Sequence, residues 1–309
     1  MLGGGGLVGH AWHLGVLAGL ADATGWDACS SELIVGTSAG AVVGAELRAG
    51  PHPVDLLRPG VGAAPATLPR PFLHPRSRRP AALGTAAWAL ATRAPAGLVL
   101  AGLLPRGRRD PALISEALAR FFPPGTVWPP GLWVCTVRLR DGRRVVFGRG
   151  GGEEAGLPSA DLPTVVAASC AMGGFFRPVV IAGEEHVDGG SRSVTNADLA
   201  AGVGADLVVV SSPMSVDQVV ARQPRSGPGS GPGAARPAAR LQRAHRLVHA
   251  RRLARELVAV RRSGSLVLAL EPGADDLAVM GSVGASMDFE RRVAVADQAR
   301  RTAAHRIRS

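Results

Sequence analysis

The sequence predicts an α/β protein with a mainly parallel central sheet. Short apolar, β-branched runs alternate with Ala- and Leu-rich runs of helical character along the 309 residues, an order that builds a parallel sheet. A glycine-rich loop opens directly into a helix at Gly3. A G-x-S-x-G turn, Gly36-Thr37-Ser38-Ala39-Gly40, then stands between a strand pattern and a helix pattern.

Composition bounds the rest. With 46% hydrophobic residues the chain buries a sizeable core, and residues 1–309 are expected to form a single domain. All 35 basic residues are arginine, which with 41 glycines and 24 prolines reads as GC-rich coding, so the high isoelectric point carries little functional weight. The net charge of +11 is more informative because it is local: Arg222 and Arg262 bound a segment with 11 arginines and Glu256 as its one acid. Cys29, Cys135 and Cys170 are odd in number and lack metal-ligand spacing, so a reducing compartment is expected and no metal or other cofactor. Met1-Leu2 and the glycines after them lack the basic region and apolar core of a signal peptide. Residues 80–105 are interrupted by Arg93 and Pro95 and do not read as a membrane span. A cytoplasmic protein is the expectation.

In chain order, Gly3 to Gly9 leads into a mostly buried helix with apolar positions at Ala11, Leu14, Val16, Leu17 and Leu20. Bare N–H groups at such a helix start converge on an anion. Gly4, Gly6 and Gly9 fit the G-x-G-x-x-G of a dinucleotide site, with Asp22 and Asp27 loosely placed for the ribose. The oxyanion of a tetrahedral intermediate is the favoured alternative, because acyl transfer needs an exposed serine nearby and a dinucleotide site does not. Almost nothing precedes the loop, so its strand reduces to Met1-Leu2 and a start further upstream stays open.

Residues 32–35 form a short buried strand and residues 41–47 a helix, which puts Ser38 on the turn between them. Gly36 and Gly40 relieve the crowding of that turn and leave the Ser38 hydroxyl above the sheet edge, under the N–H groups of the next helix. The competing explanation is a chance glycine-rich turn.

Residues 51–80 are rich in Pro and Arg without a period, an irregular excursion, and residues 81–104 read as two helices broken at Pro95. This insert, about 51–110, either covers one side of the core or meets acyl chains at a lipid surface between its flanking arginines. Asp110 and Pro111 start a helix running to Phe121, and Asp141-Gly142 turns a hairpin between residues 131–139 and 143–148. A helix over residues 163–171 ends at Gly173-Gly174, and short strands at 177–182 and 186–188 flank a Gly183-Glu184-Glu185 turn. Asp188, ahead of Gly189 and Gly190, suits a structural Asx-turn or a catalytic base. Residues 206–211 form a strand, residues 223–237 a flexible Gly/Pro/Ser loop, 238–262 a basic helix, 266–270 a strand and 287–306 the last helix.

With those motifs in order, the chain resembles the patatin-like phospholipases: a glycine loop, a serine elbow and a D-G-G after a long intervening region. Ala168-Ser169-x-Ala171, Phe176-x-Pro178 and Ser193-x-Thr195-Asn196-Ala197-Asp198 extend the match, which covers residues 2 to about 211. The resemblance implies a three-layer α/β/α domain and a serine acyl-ester hydrolase acting on lipid or acyl-ester substrates. Carried over, it makes Ser38 the nucleophile, Asp188 the base without a histidine, and the Gly4, Gly5 and Gly6 amides the oxyanion hole. Two positions depart: Val8 stands where the family has a cation, and Gly173 where a proline is common.

Partial burial raises the basicity of a carboxylate, and direct contact with a serine hydroxyl removes the need for an imidazole relay. A Ser-His-Asp triad is the alternative mechanism and would draw on His245, His249 or His305, all in basic helices. His245 and His249 have the i, i+4 spacing of a shared metal, although an arginine-rich face favours solvated side chains. A non-catalytic lipid- or ligand-binding protein is the alternative from another class. For residues 222–262, peripheral contact with an anionic membrane surface is weighed against a solvated face, with Leu241, Val248, Leu253 and Leu257 expected to pack inward. Nucleic acid is not an expected partner, because no aromatic residue is interleaved there.

Overall fold

A computed structural model of the chain describes residues 1–58, 61–62, 75–92, 94–150, 160–222 and 237–308. Its elements are α1 Gly6–Thr24, β1 Ile34–Thr37, α2 Ala39–Arg48, β2 Pro75–Pro80, α3 Leu83–Ala91, α4 Ala96–Leu103, β3 Pro105–Gly107, α5 Ala112–Ala119, β4 Leu132–Arg138, β5 Arg144–Phe147, α6 Leu162–Ser169, β6 Val179–Ile181, β7 Glu184–Asp188, β8 Leu207–Ser211, α7 Gln218–Arg222, α8 Pro237–Arg262, β9 Leu266–Leu270, α9 Ala274–Met280 and α10 Arg292–Arg308, joined by short 3-10 turns.

β1 pairs in parallel with β4, and β8 with β9. Leu2 joins the two pairs, bridging Gly36 on one side and Ser211 on the other. The strand expected before the glycine loop is thus a single rung, held by Leu2 N–H on the Val35 carbonyl at 2.8 Å and Thr37 N–H on the Leu2 carbonyl at 3.0 Å. β5 and β7 run antiparallel to β4, and β6 antiparallel to β7. The sheet is mixed with most strands parallel: β9, β8, β1, β4 and β6 run one way, β5 and β7 the other.

β4 also brings two distant segments together. The Gly131 carbonyl accepts from Ile34, and Leu139 N–H donates to Glu185, so odd-numbered residues face β1 and then β7 on one edge. Arg138 N–H turns the other way, to Arg143 beside β5. β1 and β7 therefore approach each other head-on, and their ends, Thr37 and Asp188, pair with the consecutive residues Cys135 and Thr136.

Alternating strand residues bury against helices on both faces. Ile34, Leu132 and Val134 share one core cluster with α1, α2, α6 and α10. On the other face Val208 and Val210 meet Leu253, Leu257 and Val260 of α8, while Val137, Leu139 and Val187 meet Ala89 and Leu98 of the α3–α4 hairpin. α1 is buried continuously from Leu7 to Leu20, as a helix apolar all round must be. A Cβ at Gly15 would come within 2.2 Å of the Ala296 carbonyl, and one at Gly19 within 2.4 Å of the Arg300 carbonyl, so α10 crosses α1 backbone to backbone.

Several expectations need correction. Within the stretch read as irregular, β2 pairs antiparallel with β3; a Pro- and Arg-rich strand lacks the periodicity that marks β-structure. The turn before β7 is Ala182-Gly183, at φ 48° and 80°, and Glu184 and Glu185 already belong to the strand. α7 and α9 were not expected. Leu241 and Val248 are 74% and 57% exposed, because the buried stripe of α8 runs through Arg246, Leu253, Glu256, Leu257 and Val260. Residues 59–60 and 63–74 of the insert, and 223–236 of the Gly/Pro/Ser loop, lie outside the described residues. Among the described residues no helix is long and apolar enough to cross a membrane.

Candidate active site

Ser38 sits between β1 and α2 at φ 52° and ψ −119°, a backbone state L-residues rarely adopt. The positions two residues to either side must be glycine for lack of space: a Cβ on Gly36 would lie 2.5 Å from the Ala41 Cα, and one on Gly40 2.0 Å from the Leu2 carbonyl. The strained turn leaves Ser38 partly exposed between buried residues.

Asp188, at the end of β7, is 9% exposed, and the Ser38 hydroxyl beside it favours the charged carboxylate. Its Oδ1 also accepts Gly190 N–H at 2.7 Å, the Asx-turn geometry expected of D-G-G. Burial pushes the Asp188 carboxyl up to about 6, against the lowering effect of the Ser38 hydroxyl and the Gly190 N–H. Gly189 leaves room for the Cys135 carbonyl, which a Cβ would approach to 2.4 Å. Where β1 and β7 meet, α6 inserts Ser169: its hydroxyl donates to the Cys135 carbonyl at 2.7 Å and accepts Ser38 N–H at 2.9 Å. Cys170, the next residue, touches Ser38, and burial followed by the Asp188 charge holds its thiol far above the usual range. It stays a neutral thiol beside Ser38.

A family model described as patatin-like phospholipase matches residues 1–201. The chain belongs to the patatin-like phospholipase family. No curated protein matches it. The family is one of lipid acyl hydrolases, and the motifs that carried the resemblance lie within the matched residues.

The glycine loop of this patatin domain lies against Ser38, since a Cβ on Gly4 would come within 3.4 Å of the Ser38 Cβ. Gly4 N–H is already committed to the Val194 carbonyl at 2.8 Å, which removes it from the three expected donors. The N–H groups of Gly5, Gly6 and Ala39 have no acceptor among the described residues. Gly6 takes φ 64° to aim the chain into α1, and Gly9 leaves room for Pro213. The Gly3 carbonyl is fixed by Gly40 N–H at 3.1 Å and by His13 Nε2 at 2.7 Å. Since a carbonyl only accepts, His13 donates through Nε2 and takes the Ser211 hydroxyl on Nδ1 at 2.7 Å. Burial lowers the His13 imidazole to about 3, which keeps that neutral tautomer.

Where the family has a cation, Val8 is 3% exposed in the core and donates its N–H to the Ser286 carbonyl at 2.9 Å. The loop is anchored instead by residues beyond the family match, Ser286 and Pro213. Asn196, left-handed at φ 47°, donates to Thr37 Oγ1 at 3.0 Å and to the Ser193 carbonyl at 2.7 Å. Glu256 of α8 accepts from the Ser193 and Thr195 hydroxyls at 2.6 and 2.7 Å and from Ala197 N–H at 3.0 Å. Sequence reasoning named Ser169 and Asn196 only as family matches and gave Glu256 and His13 no specific partner; the S-x-A and S-x-T-N runs were the signal for the first two.

Among the described residues no histidine hydrogen-bonds Ser38 or Asp188. His245 and His249 face each other at 3.2 Å on α8, and His305 is exposed near the end of α10. No cluster of three metal-ligating side chains is present among the described residues. Asp22 pairs with Arg300 near the far end of α1, and Asp27 caps Cys29, so neither attends the glycine loop as a ribose acid would.

Proposed function

We propose that the protein is a lipid acyl hydrolase working through a Ser38–Asp188 dyad. The observation that carries this is the placement of a serine on a strained elbow beside a buried aspartate of raised basicity. The Asp188 carboxylate takes the Oγ proton as Ser38 attacks the ester carbonyl carbon, and a tetrahedral oxyanion forms. Gly5, Gly6 and Ala39 N–H groups, at the starts of α1 and α2, receive that charge; each such donor contributes on the order of 3 kcal/mol. Collapse expels the alcohol, which takes the proton from Asp188, and water then attacks the acyl-serine with Asp188 again as base.

A lipid substrate is supported by the α3–α4 hairpin. Leu83, Trp88, Leu90, Leu100 and Leu103 are exposed on it, an apolar surface of the kind that meets lipid. α4 also packs against the D-G-G turn, where a Cβ on Gly97 would come within 2.3 Å of the Ser191 carbonyl. We read the chain as one three-layer domain, since a single core cluster runs from Leu2 to Ala303. Peripheral contact with an anionic membrane through residues 222–262 belongs to the same reading: Arg240, Arg251, Arg255, Arg261 and Arg262 are exposed on α8 beside Leu241 and Val248.

A fluorophosphonate probe tests the assignment. Labelling of the wild-type chain that disappears in Ser38→Ala is expected; a wild-type chain that stays unlabelled across pH 5–9 favours a non-catalytic ligand-binding protein.

A further inference from the structure

A second polar site lies away from the dyad, in a cavity of about 180 Å³ between α7, α8 and α9. Arg246 lines it and is only 4% exposed. One guanidinium nitrogen donates to the Pro213 and Ser215 carbonyls at 2.7 and 3.1 Å, while Nε is buried without a partner. No carboxylate pairs with it among the described residues: Asp217 is bound to Arg306, and Glu256 to Arg252 and the Ser193 and Thr195 hydroxyls. A buried charge without a counter-ion is costly, and burial lowers the Arg246 guanidinium to about 10. The neighbouring polar groups do not neutralise it, since Arg243 adds a second cation and Gln242 a neutral amide, whereas Val220, Leu247 and Leu277 make the rest of the wall apolar.

We propose that this cavity binds a short-chain carboxylate, with its head on Arg246 and Arg243 and its alkyl tail against Val220, Leu247 and Leu277. A guanidinium is the side chain best matched to a carboxylate, and the apolar wall rejects a fully hydrated anion. At ~30 Å³ per water-sized group the space takes about six such groups, a ligand well below the size of a lipid. The site backs the glycine loop. Pro213, whose carbonyl Arg246 holds, seats its ring on Gly5 and Gly9, where an added Cβ would come within 2.8 and 3.2 Å of Pro213 Cγ. An occupant therefore fixes the support of the loop from behind, and carboxylates are the class of compound that ester hydrolysis releases. That last link rests on the proposed hydrolase function; the binding site does not.

The test is calorimetric titration of the full-length Ser38→Ala chain with hexanoate, 1-hexanol and inorganic phosphate, which reads binding without turnover. Saturable hexanoate binding is expected, with hexanol and phosphate each weaker by about tenfold or more. In the same background Arg246→Gln and Arg243→Gln should each weaken hexanoate by about tenfold or more while circular dichroism stays native. Should Arg246→Gln fail to fold, Arg243→Gln decides. Absence of hexanoate binding, hexanol or phosphate binding as tightly, or hexanoate binding undiminished in Arg243→Gln overturns the proposal.

Discussion

In the proposed dyad, Asp188 gains its basicity from being uncomfortable as a charge. Burial raises its carboxyl from 3.8 to about 6, so kcat/KM should climb as pH rises through about 6 and level off above it. The same shift has a stability sign. A group whose pKa is raised by folding contributes stability below its unfolded value and loses it as pH rises through the folded one. Asp188→Asn should therefore be inactive yet more stable than wild type at pH 8, by on the order of 2 kcal/mol, with the gain vanishing near pH 4 in thermal melts. Ser169→Ala strips the bridge between Ser38 N–H and the Cys135 carbonyl; a cost of about 1–3 kcal/mol and a fall in kcat larger than any change in KM are expected. A preserved kcat in Ser169→Ala would show that the bridge does not hold the elbow. The elbow at Ser38 and the turn at Asp188 are legible in the sequence because their backbone geometry imposes local glycines: Gly36 and Gly40 around the elbow, Gly189 and Gly190 after the acid. The Gly4 amide was misread because its acceptor, Val194, lies far along the chain and no local pattern announces it.

At the scale of elements, the site exists because β1 and β7 end opposite consecutive residues of β4. Each strand was visible as an apolar run, but their meeting was not, since strand register depends on pairing partners rather than on the run itself. α8 was visible as a basic helix, and its orientation was misjudged. Sorting apolar residues inward and arginines outward fails when Arg246 and Glu256 are buried for the carbonyls and hydroxyls they bind. Likewise, Gly15 and Gly19 of α1 looked like composition, yet they admit the backbone of α10. Gly15→Ala should overpack that crossing and cost roughly 1–3 kcal/mol or more, read from denaturant midpoints. A variant as stable as wild type would mean the two helices separate easily.

For the molecule as a whole, the family match ends at residue 201 while the core continues to Ala303. β8, β9, α8 and α10 complete the sheet and cover α1, and Ser286 and Pro213 anchor the glycine loop. A chain ended at Ala201 should accordingly fail to give soluble, cooperatively melting protein; a folded, labelled fragment would contradict a single domain. The basic outer face of α8 predicts cosedimentation with anionic vesicles that weakens as salt rises from about 0.05 to 0.5 M. Equal binding to neutral vesicles would remove that role. The dyad itself is tested most directly by p-nitrophenyl ester turnover in two variants compared with wild type. Asp188→Asn should lose several orders of magnitude in kcat, because a neutral amide cannot take the Ser38 proton, whereas joint replacement of His245, His249 and His305 should leave most of the rate. Near-wild-type turnover in Asp188→Asn, or its loss in a folded triple-histidine variant, would contradict the account.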